Sequence, residues 1–142
     1  MKRKLKSVIK SAAENSKKIL KMWGYLNPIL EVRTKDTIYP ANINSKSRSE
    51  VPEAIENMIK HFQKKDAEMY AWNQTMTGTN IATGAESRIL LTIGELKNGD
   101  RGVLMTPFMK RGKEILFQEA KWEDPKNFQN IFQLFTRIFN NP

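Results

Sequence analysis

Between residues 67 and 122 the apolar positions fall in four runs of strand length, at 69–76, 89–96, 103–109 and 115–122. Turn-forming residues separate them, so the spacing predicts a four-stranded antiparallel meander. In the first run, period-two alternation puts Tyr70, Trp72, Gln74 and Met76 on one face and Met69, Ala71, Asn73 and Thr75 on the other. The stretch Ile89-Leu90-Leu91-Thr92-Ile93 is apolar on both faces, which fits a central strand covered on both sides. Asn98-Gly99 supplies the positive φ angles of a tight hairpin, and Lys110-Arg111-Gly112-Lys113 turns the chain again. Alternate hairpins leave opposite ends of a sheet, so Arg101 is expected far from Lys110, Arg111 and Lys113. Pro107 predicts a bulge or an unpaired edge in the third run.

Outside the meander the period changes to helical. Leu5, Val8, Ile9, Ala12, Ser16, Ile19, Leu20 and Trp23 form one stripe, and lysines occupy most of the other side. This predicts a basic amphipathic helix within residues 1–26, docked on the core, with Trp23 as an anchor and Gly24 as its stop. Residues 29–66 read as a hairpin followed by a second helix. Leu30, Val32, Ile38 and Ile43 are expected to face inward, and Pro40 marks an edge strand. Ser47 or Ser49 is a candidate cap for the second helix, Pro52 fits its first turn, and Val51, Ile55, Met58, Ile59 and Phe62 form its stripe. A third helix, within 124–140, begins at Asp124-Pro125 and carries Phe128, Ile131, Phe132, Phe135, Ile138 and Phe139. Docking across the sheet is the expected use of that stripe.

The expected fold is therefore α+β: one domain over 1–142, with a hairpin plus a four-stranded meander in a single antiparallel sheet flanked by three helices. The order of elements resembles the profilin-like and roadblock-type scaffolds. That resemblance implies a non-enzymatic binding or assembly module, often dimeric.

Composition narrows the chemistry. The chain has 142 residues, no cysteine and one histidine, His61. Disulfides, thiolate metal sites, cysteine nucleophiles and multi-histidine sites within one chain are excluded. No run of apolar residues reaches the roughly 20 needed to span a bilayer. The basic start is interrupted by charges before it can form a signal-peptide core, so a cytoplasmic setting is expected. Net charge is +9, but residues 1–21 hold eight basic groups against Glu14 alone, a local +7 that leaves +2 for the rest. Lys2, Arg3, Lys4, Lys10, Lys17, Lys18 and Lys21 are thus candidates for contacting nucleic acid or another anionic partner.

No catalytic motif stands out, and no catalytic residue, metal or cofactor is assigned. The three acids Glu119, Glu123 and Asp124 fit solvation and capping better than a cation site. The connection at 77–87 is the longest in the meander, and with its two glycines and three threonines it suits a binding loop. Trp72, Asn73, Thr79, Asn80, Thr83 and Arg88 are the candidate ligand-binding residues around it. Three functions follow, in order. The first is a small interaction or assembly domain that pairs with itself as a homodimer or with another protein. The second is a nucleic-acid binder using the basic helix, and the third a small enzyme with a pocket near Trp72 and the 77–87 loop.

Overall fold

A computed structural model describes residues 1–44, 50–79 and 81–140. The elements run α1 (Arg3–Trp23), β1 (Ile29–Arg33), β2 (Ile38–Asn42), α2 (Val51–Gln63), β3 (Met69–Thr79), β4 (Glu86–Leu96), β5 (Arg101–Arg111), β6 (Glu114–Phe117), β7 (Lys121–Glu123) and α3 (Gln129–Thr136). Short 3-10 turns flank α3 at Pro125–Phe128 and Arg137–Phe139. All strand pairings are antiparallel, in the order β2-β1-β3-β4-β5-β6, with β7 continuing beside β5 where β6 ends. This is the expected α+β fold, with seven strands among the described residues where the sequence suggested six. The proposed caps Ser47 and Ser49 lie outside the described residues.

The sheet is covered on both faces, as the doubly apolar β4 requires. On one face Tyr70, Trp72, Leu91, Ile93 and Val103 meet Ile59 and Phe62 of α2 and Phe132, Phe135 and Ile138 from the α3 segment. Trp72 stacks on Phe135 with ring centroids 4.6 Å apart. On the other face α1 packs Leu5, Ile9 and Ala13 against Leu104, and Val8 and Ala12 against Met69 and Ala71. Fully burying one such aliphatic side chain contributes about 1.5–3 kcal/mol, so this stripe is enough to dock the helix. The two faces differ in how closely the helix approaches. Gly94 and Gly102 are paired across β4 and β5, and a Cβ on either would lie 2.7 Å from Ile9 side-chain carbons. Two missing side chains form the slot that Leu5 and Ile9 occupy.

The extra strand has a local cause. Phe108 pairs with Phe117, but Met105 pairs with Lys121, so three residues on one strand oppose two on the other. This is a bulge at residues 118–120, as Pro107 foretold. The Pro107 carbonyl accepts from the Gln118 N–H at 2.8 Å, while its ring nitrogen has no proton to return. The added residue restores parity: Phe117 and Trp122, five apart in sequence, both turn toward α1. There Lys17 and Lys21 lie over the Phe117 ring, and Lys6 over Trp122.

Two expectations need correction. Ile38 is 53% exposed, because it pairs with Arg33 at the far end of edge strand β2, on the side away from α2. Leu30, Val32 and Ile43 do face inward. Trp23 is 64% exposed, because α1 overruns the core at its last turn, where Gly24 closes the helix by donating to the Leu20 carbonyl at 2.8 Å.

Candidate functional site

The candidate ligand-binding residues separate once the meander folds. Trp72 and Asn73 are each 2% exposed and point to opposite faces of β3. Trp72 donates to Gln74 Oε1 at 2.7 Å beneath α3, and Asn73 Oδ1 accepts from the Thr92 hydroxyl at 2.8 Å beneath α1. The connection at 77–87 is partly strand, because β3 runs on to Thr79 and β4 starts at Glu86. The two strands form an arm beyond the core, with Thr79 and Thr83 exposed and Arg88 beside Glu86 at 3.8 Å. Asn80 lies outside the described residues. Trp72, buried on the other face, cannot share a cavity with Asn73, and neither reaches the tip of the arm.

A second polar cluster lies at the opposite end of the sheet. The Glu95 carboxylate, with a side chain 2% exposed, accepts from Tyr70 Oη at 2.8 Å, Thr136 Oγ1 at 2.6 Å and Arg101 Nε at 3.0 Å. Arg101 also covers the Phe132 ring, 4.9 Å from its centroid. Burial first, and the adjacent Glu95 carboxylate second, push the Tyr70 phenol well above its ordinary range, so it remains a protonated donor. With three donors on one carboxylate, this cluster ties α3 to the sheet and leaves no group placed to exchange a proton with a ligand. His61 is exposed and sits edge-on to Phe62. Among the described residues no three acidic or histidine side chains converge to hold a metal ion.

The basic residues make a more coherent surface. Because α1 docks through its apolar stripe, its charged side is left to solvent. Arg3, Lys4, Lys10 and Lys18 are exposed and form no ion pair with a described residue. Lys17 is bound to Glu14 at 3.0 Å. Lys2 is tied through its backbone N–H to Asp100 Oδ2 at 2.7 Å, which fixes the start of the helix near the β4–β5 turn. Arg3, Lys10, Lys18 and Lys21 recur at seven, eight and three residues. They line a track of about 27 Å at 1.5 Å per residue.

At the same end of α1, but on its docked side, stands a residue expected in the core. Trp23 and Tyr25, 64% and 60% exposed, flank a cleft of about 270 Å³ floored by Ile19, Leu26 and Ile29 and edged by Asn27 and Asn42. Lys110, from the β5–β6 hairpin, donates to the Gly24 carbonyl at 3.0 Å and so brings a further cation beside the cleft. Arg101, as expected, is at the other end. The signal for this site is the position of Trp23 at the last turn, one residue before a glycine stop, where a stripe residue has nothing left to pack on.

No family model, curated protein or solved structure matches this chain. Among the described residues no helix is long and apolar enough to cross a membrane.

Proposed function

We propose that this chain is a non-enzymatic binding module whose partner is a nucleic acid, held by its phosphates along the outer side of α1. One observation carries the reading: α1 docks on the sheet through its apolar stripe as far as Leu20, so most of the +7 of residues 1–21 faces away from the sheet. The other 121 residues net only +2, so the field is directional. Phosphates that replace condensed counterions on such a track give affinity that falls steeply with salt. With about four phosphate contacts, affinity for a labelled 20-mer should fall roughly 50-fold between 50 and 200 mM salt. Joint replacement Arg3→Glu, Lys10→Glu and Lys18→Glu should abolish binding and leave the melting temperature nearly unchanged, since all three are exposed. Fluorescence anisotropy measures both, and no binding at 50 mM salt ends the reading.

Self-association is the second reading, and a separate observation favours it. On the α3 side of the sheet, beyond the start of the α3 segment, Met76, Ile89, Pro107, Met109 and Leu116 share a face that no described helix covers, with Met109 47% exposed. A second copy laid on this strip would form a homodimer. Sedimentation as a clean monomer at micromolar concentration contradicts it.

A further inference from the structure

We infer that the cleft between Trp23 and Tyr25 receives an unpaired base, which makes the preferred ligand a single strand. The inference rests on the nucleic-acid reading of α1 and adds a position and a discrimination to it. Three features meet at the cleft. Two aromatic rings with most of their surface in water stand at its mouth. Its floor is aliphatic, from Ile19, Leu26 and Ile29. Its polar edge is made of amides: Asn27, which donates to Asn44 Oδ1 at 2.9 Å, and Asn42, which makes no hydrogen bond to a described residue.

The volume, about 270 Å³, falls just below the roughly 300–1,000 Å³ of pockets that enclose drug-sized ligands. A single planar ring system suits it better. A base offers a flat π face to Trp23 or Tyr25 and a donor–acceptor edge to an asparagine amide, the two contacts by which unstacked bases are read. The charge is arranged to match. Lys110 is fixed at Gly24, between the two ring-bearing residues, so a phosphate next to the bound base meets a cation there. The strand reaches Lys18 and Lys21 by crossing the end of α1, since residues five and two before Trp23 lie on the far side of the helix. In a duplex the bases are stacked and paired and cannot enter. Exposed Met22 beside Trp23 also suits an anionic lipid surface, but the two amides in the cleft have no use there.

The test compares oligothymidylate and oligouridylate 15-mers with a duplex of equal length, all at 50 mM salt. The inference requires single strands to bind more tightly than the duplex. Trp23→Ala should weaken single-strand binding roughly 5- to 150-fold and leave duplex binding unchanged. Trp23→Phe, which keeps a ring, should restore most of the loss. A loss on either single strand supports the inference, and the tighter one names the sugar. Salt-dependent binding that Trp23→Ala does not alter, or weakens equally on duplex and single strand, overturns the cleft while the phosphate track stands. Failure of every oligonucleotide to bind removes the track as well. A blue shift of tryptophan emission on phosphatidylglycerol vesicles, lost in Trp23→Phe and with no oligonucleotide bound, overturns both in favour of a lipid surface.

Discussion

The two helical layers cover the same sheet in different ways. The α2–α3 layer holds its face with large aromatics: Phe132 and Phe135 are buried against Tyr70 and Trp72, and Arg137 forms a bidentate pair with Glu56 between the two helices. Its charges balance locally, with three acids and three lysines in residues 50–65. The α1 layer holds its face with aliphatic residues and close approach, Leu5 and Ile9 on the helix over Gly94 and Gly102 in the sheet, with Ala12 and Ala13 packed beside them. Its outer side carries almost all of the unbalanced charge. One layer keeps its specific chemistry inside, where it secures the fold. The other secures the fold with few atoms and leaves its chemistry outside, where a partner can reach it.

Substitutions should separate the two layers. The largest effect on stability should come from Phe135→Ala, at about 3–5 kcal/mol by thermal or urea unfolding, because it empties a site between Trp72 and Tyr70. Its oligonucleotide affinity, measured where the variant is still folded, should match that of the wild type. Gly94→Val should cost about 1–3 kcal/mol by overpacking against Ile9 and Leu5. Unlike Phe135→Ala it should also reduce binding, since it lifts the helix that carries the track. If Gly94→Val is neutral, α1 is not seated as described.

The smallest effect concerns the Glu56–Arg137 pair. The Arg137 guanidinium holds the Glu56 carboxyl below its ordinary value of 4.5. A depressed carboxylate stabilises the fold above that value, and the contribution is lost as pH falls below it. Both side chains are more than a third exposed, so the loss should be small. Melting of Glu56→Gln should therefore lie slightly below wild type at pH 7 and converge with it toward pH 3. A constant difference across that range contradicts the assignment.

Much of the fold was legible because periodicity records burial. The 3.6 repeat of α1 and α3, the two-sided β4 and the edge proline of β2 all follow from which atoms must leave water. The bulge was legible in Pro107, though its outcome, an additional strand, depended on how β6 and β7 share one neighbour. What was not legible needed tertiary contacts. Trp23 has the right spacing for the core but stands beyond the sheet. Trp72 and Asn73 adjoin in sequence and are separated by the strand itself. Gly94 and Gly102 look like ordinary strand glycines until they pair under Ile9. For the site, the lysine track was readable from local charge. The aromatic cleft at its end was not, because Asn42 comes to Trp23 only through the pairing of β1 with β2.

The central claim is that the outer side of α1 is a phosphate track. Its most direct test is the slope of log affinity against log salt for oligothymidylate, measured for wild type and for Lys18→Gln. The account predicts a steep negative slope for wild type, made shallower by about 0.7 when one phosphate contact is removed. A slope near zero, or one that Lys18→Gln leaves unchanged along with the same change at Lys10 and Lys21, would contradict it.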